Sequence, residues 1–214
     1  MDFEKITHQL AKPEGPMGIK VAEGMNTINQ FISKSAYNLL QLHKNENLLE
    51  IGMGNGKLIE FVLDLAENIR YTGVDLSRTM VNEAKKNVPV HHTSKIDLIC
   101  ADIEDLPFWN QTFHKACSIN TIYFWRNPKK ALAEVHRVLQ PNGIFVLALR
   151  PFVKNKTLNF STYGFKEYTT NDIFKLLKNS NFELDNVKTL NEPPVSFKEE
   201  MHELESVYYV LHKK

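Results

Sequence analysis

The chain has 214 residues, 43% of them hydrophobic and 24% charged, with a formal net charge of +1. At this length one domain is the default and folding buries roughly 70% of the unfolded surface, so neither disorder nor a covalent staple is implied, and the balanced charge disfavours a strongly basic nucleic-acid binder. Two cysteines, Cys100 and Cys117, make no disulfide framework, and the longest unbroken apolar run, Ile144 to Leu149, falls far short of the ~20 residues that span a bilayer.

The start, Met-Asp-Phe-Glu-Lys, has no basic stretch followed by an apolar run, so no signal peptide is visible and a cytoplasmic protein with reduced thiols is expected. The first two dozen residues read as irregular, because Pro13, Gly15, Pro16 and Gly18 interrupt any regular pattern. From about Met25 to Leu42, apolar residues at helical spacing (Ile28, Phe31, Ile32, Ala36, Leu39) predict an amphipathic helix. Asn47 to Ile51 is a short apolar strand that ends at glycines, and Lys57 to Asn68 is helical. Tyr71 to Asp75 is a second strand. Ser77 caps a helix reaching about Asn87. Ile96 to Ala101 and Lys115 to Asn120 are further strands. Asn127-Pro128 opens a helix to about Leu139, and Pro141-Asn142-Gly143 turns it into the strand Ile144 to Leu149. Thr170 to Asn179 is helical, and Glu183 to Leu190 and Val207 to Leu211 are strands.

Short apolar strands alternating with amphipathic helices predict an α/β fold: a Rossmann-like, doubly wound, mostly parallel sheet with helices on both faces. The last two strands, with no strong helical pattern between them, predict an antiparallel C-terminal edge. No linker marks a second domain. Residues 1–214 therefore read as one domain, with an N-terminal cover and helix at 1–44, a cofactor-binding core at 45–150, and a substrate-side cover with the sheet edge at 151–214.

Three of the nine glycines, Gly52, Gly54 and Gly56, fall at alternate positions directly after the first strand. Glycine there permits positive φ and removes the Cβ that would block a ligand, and the loop amides and helix N-terminus offer donors. Glu50 precedes the loop. Asp75 ends the next strand, which in doubly wound sheets faces the ribose of a nucleotide. Charged carboxylates suit the two hydroxyls of a ribose.

These residues resemble a known family. The chain is similar to class I S-adenosylmethionine-dependent methyltransferases of the small-molecule type, strongly over roughly residues 45 to 150 and loosely elsewhere. Glu-x-Gly-x-Gly-x-Gly at 50 to 56 resembles the family's first motif, which implies that Gly52, Gly54 and Gly56 lie against the methionine part of S-adenosylmethionine and that Glu50 helps fix the loop and the amino group. Gly-Val-Asp-Leu-Ser at 73 to 77 resembles the second motif, implying that Asp75 holds the ribose and Leu76 packs on the adenine. Ala101 to Phe108 resembles the third, implying that Asp102 accepts from the adenine amino group and the backbone of Ile103 meets the ring edge. Asn120 to Trp125 occupies the family position that faces sulfonium and acceptor. Val135 to Gly143 resembles the structural turn before the fifth strand. His114-Lys115 departs from the usual Phe-Asp pair, which leaves the local loop pairing open.

The resemblance implies methyl transfer to a small-molecule acceptor, with S-adenosylhomocysteine as product. Alternatives are an NAD(P)-dependent oxidoreductase, whose Gly-x-Gly-x-x-Gly spacing fails at Lys57, a non-catalytic S-adenosylmethionine-binding protein, and an RNA or protein methyltransferase. His91-His92 reads as a solvated loop, not a metal site. No catalytic residue is assigned. Tyr123, Tyr163 and His8 are the candidates if a base is required. Tyr123, Phe124 and Trp125 are divided between core and substrate wall. Residues 8 to 30 and about 152 to 168 are expected to cover the pocket, with Met25 and Asn26 bordering the cofactor.

Overall fold

The structure is a computed structural model that describes residues 3–88, 95–152, 165–197 and 200–214. Helices α1 (Phe3–Ala11) and α2 (Gly15–Leu39) lead into β1 (Asn47–Ile51), α3 (Ile59–Leu63), β2 (Arg70–Asp75), α4 (Arg78–Asn87), β3 (Ile96–Cys100) and β4 (Phe113–Ile119). A 3-10 turn at Ile122–Phe124 precedes α5 (Pro128–Val138), β5 (Leu139–Leu149), α6 (Thr170–Lys178) and β6 (Phe182–Asn191). A small hairpin, β7 (Val195–Phe197) with β8 (Glu200–His202), leads to β9 (Glu205–Lys213).

The main sheet has seven strands in the order β3-β2-β1-β4-β5-β9-β6. Strands β1 to β5 are parallel, and β9 runs antiparallel between β5 and β6. This is the Rossmann-like sheet with an antiparallel edge pair that the alternation predicts; within the pair, β6 lies outermost. The order reverses between β1 and β4, and the C-terminal ends of these two strands open the crevice where doubly wound sheets bind ligands.

Both sheet faces are covered, so β5 is buried on both sides. Phe145, Leu147 and Leu149 join Leu132, Val135 and Ile173 of α5 and α6 on one face. Val146 and Ala148 join Ile32, Ala36 and Tyr37 of α2 and Ile59 of α3 on the other. Continuous burial removes the polar alternation of a one-sided strand, which is why Ile144 to Leu149 is unbroken in sequence.

The N-terminal region departs from the expected irregular stretch. Pro16 lies in the first turn of α2, where its missing N–H costs nothing, and the helix runs 25 residues. Gly18 does not break it. A Cβ there would lie 2.6 Å from the Pro13 carbonyl carbon, so glycine admits the close approach of the α1–α2 turn. Conversely, α3 is shorter than its periodicity predicts: it spans only Ile59–Leu63, and the chain continues in turns to β2, with Asn68 at φ 56°.

Candidate nucleotide-cofactor site

The loop after β1 is built on three left-handed glycines, with φ of 80° at Gly52, 59° at Gly54 and 72° at Gly56. They do different work. A Cβ on Gly52 would run into the Thr121 methyl, and one on Gly56 would lie 2.8 Å from Ile59 and 2.9 Å from Ala84. A Cβ on Gly54 would meet nothing within 4 Å. Gly54 is thus the glycine whose missing side chain leaves open space. The amides of Gly52 and Met53 both donate to the Val74 carbonyl, at 2.8 and 3.2 Å, which ties the loop to β2.

Asp75 sits under this loop. Its carboxylate accepts from the Gly54 amide at 2.9 Å and from the Ser77 amide at 2.8 Å. Each oxygen keeps a lone pair for a further donor. Leu76, next along, is 47% exposed at the mouth of the crevice. Glu50 is buried, and its two oxygens accept from the hydroxyls of Tyr37 at 2.7 Å and Tyr71 at 2.5 Å. Its carboxylate therefore joins α2 to β2 beneath the loop.

Burial raises the Glu50 carboxyl; the hydrogen bonds from Tyr71 and Tyr37 oppose the shift, and the Asp75 charge adds to it. Burial likewise raises Asp75 against the amide bonds from Ser77 and Gly54. The folded state holds protons that the unfolded chain releases. The contribution of these two groups to stability is therefore greatest below the ordinary carboxylate range and falls as pH climbs from there through the raised values. Glu50→Gln should flatten this fall, read as melting temperature across about pH 4 to 8. An equally steep profile in the variant would remove Glu50 as its source.

The segment after β3 forms a tight turn. Asp102 accepts from the Glu104 amide at 2.9 Å, and Arg126 donates to its other oxygen at 2.7 Å. The Ile103 side chain is buried in the core. Arg137 of α5 holds the rest of the loop. It donates to the carbonyls of Leu106 at 2.9 Å and Phe108 at 2.7 Å while both oxygens of Glu134 hold it in place. Arg137→Ala should cost about 2 kcal/mol, as charge-assisted bonds to backbone are lost, measured by urea unfolding. A change within about 0.5 kcal/mol would mean that the loop holds itself.

Asn120, just past β4, adopts φ 53°. Its side chain donates to Asn29 of α2 at 3.2 Å and accepts from the Tyr123 hydroxyl at 3.2 Å. Trp125 is core, 4% exposed with its indole N–H on Thr121. Tyr123 and Phe124 are half-buried and cluster with Phe165. Burial raises the Tyr123 hydroxyl well above its ordinary range, and the hydroxyl accepts from the Arg150 amide at 2.7 Å, which makes it a poor base. His8 lies exposed on α1, whereas Tyr163, His91 and His92 fall outside the described residues. Among the described residues, no group of three His, Cys, Asp or Glu side chains could hold a metal ion. His114 supplies the local pairing left open by the sequence: its Nδ1 accepts from the Asn47 amide at 3.0 Å.

Helix α2 crosses above these parts. The Ser77 hydroxyl donates to the Pro13 carbonyl, and the Gly15 amide reaches Thr79 at 3.3 Å, so the helix begins beside Asp75. Its middle contacts Asn120 and its last turns contact Glu50. Tyr37, Tyr71 and Asn29 were not singled out from sequence. Arg150 and Glu192 were also missed, although a charge directly after six apolar residues was a signal.

A reversed-order parallel sheet with a glycine loop and acids at its switch point is a Rossmann-like arrangement. Residues 49–147 match the family described as a methyltransferase domain, which supports the resemblance to class I S-adenosylmethionine-dependent methyltransferases. It is 26% identical over 123 residues to YdaC, a methyltransferase of Bacillus subtilis, covering 58% of this chain and 66% of that one. It is 31% identical over 107 residues to the phthiotriol/phenolphthiotriol dimycocerosates methyltransferase of Mycobacterium tuberculosis, covering 50% of this chain and 38% of that one. The chain thus spans at most about two thirds of the first relative and well under half of the second. In fold it is similar to a chain from the Haloferax volcanii complex of the Trm112 methyltransferase activator with a methyltransferase. There the TM-score is 0.80 at 16% identity, covering 100% of this chain and 98% of that one. None of the described helices is long and apolar enough to cross a membrane.

Proposed function

We propose that this protein transfers a methyl group from S-adenosylmethionine to a small-molecule acceptor by in-line displacement. The observation that carries the reading is the open left-handed Gly54, whose amide rests on Asp75 at the switch point. The donor set fits the cofactor: loop amides for its carboxylate end, Asp75 for ribose hydroxyls, and exposed Leu76 for an apolar ring face. In this reading Gly52, Gly54 and Gly56 shape the loop against the methionine part, and Glu50 fixes it from beneath. Asp102 and the Ile103 backbone meet the adenine, and Asn120 stands at the reacting end. When bound, S-adenosylmethionine supplies an activated methyl sulfonium, so the chain need furnish no covalent nucleophile.

The chain's own task is to orient the acceptor and exclude water, and orientation alone can supply on the order of 7–11 kcal/mol. The Tyr123, Phe124 and Phe165 cluster supports a partly apolar acceptor. Calorimetry with S-adenosylmethionine, S-adenosylhomocysteine and NAD tests the cofactor: the first two should bind, and binding of NAD alone would overturn the reading. A screen of acceptors with labelled methyl donor, read by mass spectrometry, then tests transfer.

A further inference from the structure

Five elements that are distant in sequence meet at the C-terminal rim around Arg150, the residue after β5. Its Nε and Nη2 donate to the two oxygens of Glu192 at 2.7 and 2.8 Å. The Glu192 side chain is 1% exposed, accepts from the Ser206 hydroxyl, and its amide donates to the Leu204 carbonyl at 2.8 Å. The pair is therefore fixed from the sheet side. The remaining donors point at α2: Nη1 reaches Asn29 Oδ1 at 2.8 Å and Nη2 reaches the Ile28 carbonyl at 2.8 Å. The same Asn29 oxygen accepts from Asn120. One amide thus joins the cover helix, the guanidinium and the left-handed residue at the end of β4.

A buried ion pair is weak evidence for stability, since apolar residues of similar volume often serve as well. Its planar fork does, however, fix a direction. That direction matters because of how α2 is held. The fully buried residues of the helix are Gly18, Ile32, Ser33, Ala36 and Tyr37. Between Gly18 and Ile32 no residue is buried, so apolar packing secures the C-terminal turns, polar contacts with Ser77 and Thr79 hold the start, and the middle is held by polar contacts with Arg150 and Asn120. That middle is the part above Asn120.

We propose that Arg150, oriented by Glu192, is a positioning residue that latches the middle of α2 over the crevice through Asn29 and so sets how fast cofactor enters and leaves. This rests on the cofactor reading above. Asn29 is the place to test it, because changing it leaves the buried pair intact. N29A loses the link, whereas N29D keeps an acceptor for both Arg150 and Asn120.

Surface plasmon resonance with S-adenosylhomocysteine should show dissociation about 10-fold faster for N29A, the worth of one charge-assisted hydrogen bond, with N29D within about twofold of wild type. Hydrogen exchange of the amides of residues 19–31 should quicken in N29A and not in N29D. Unchanged dissociation in N29A, or N29D as fast as N29A, overturns the latch and leaves the cofactor reading standing. Wild-type protein that binds no S-adenosylhomocysteine overturns the cofactor reading instead, and the exchange of residues 19–31 still decides whether the Arg150–Asn29 contact seats α2.

Discussion

Gly54→Val should give a folded protein that no longer binds S-adenosylhomocysteine, with affinity lowered by about 100-fold or more. The residue sits at φ 59°, a conformation that costs an L side chain roughly 1–2 kcal/mol, which a domain of this size can absorb. Among the described residues other than its chain neighbours, no atom lies within 4 Å of an added Cβ, so the Cβ itself meets no clash. The side chain would stand in the space assigned to the ligand. The neighbouring glycines predict the opposite balance. At Gly52 a Cβ drives into Thr121, whose hydroxyl is 2.5 Å from that of Ser118, itself bound to the Ile51 carbonyl. At Gly56 it meets α4. Both substitutions should lower stability first and binding only as a consequence. Thermal melting beside calorimetry separates the classes. A well-folded Gly54→Val that binds normally would mean that the loop does not cradle the ligand.

The contrast among these glycines shows where sequence reasoning reached and where it stopped. Alternate spacing after an apolar strand marked the loop, because positive φ is a local requirement that glycine satisfies. The order of strands and helices was legible for the same reason, since periodicity and caps such as Ser77 and Asn127 are local. Local reasoning misjudged Pro16 and Gly18, which look like breakers but serve as a first-turn proline and a close contact. It put Glu50 before the loop but could not find its partners Tyr37 and Tyr71, which come from another helix and another strand. Nor could it find the Arg150–Asn29 bond, which spans 121 residues. Such long-range polar contacts leave no periodic trace. The pattern locates the crevice, and the contacts that hold its cover emerge only from the assembled sheet.

Asp75→Ala should weaken S-adenosylhomocysteine binding by at least about 10- to 100-fold, since charge-assisted hydrogen bonds are worth roughly 1.5–3 kcal/mol. Two physical routes lead to that loss. Asp75 can hold ribose hydroxyls directly, or it can act only through the loop, because it already accepts from the amides of Gly54 and Ser77. Removing it strands the buried Ser77 N–H, at a cost of about 1–3 kcal/mol, and frees the part-buried Gly54 N–H, so a loosened loop alone could impair binding. Asp75→Asn retains one acceptor and sets an amide donor against the other N–H, so its stability should fall between wild type and alanine. The routes part on a ligand that lacks the ribose hydroxyls. If Asp75 grips them, the deoxygenated analogue binds wild type weakly and loses little more in Asp75→Ala, because the partner is already gone. If Asp75 serves only the loop, the substitution costs parent and analogue equally. Equal losses would move Asp75 from the ligand to the support of the loop, and a loss confined to the parent compound fixes it on the ribose.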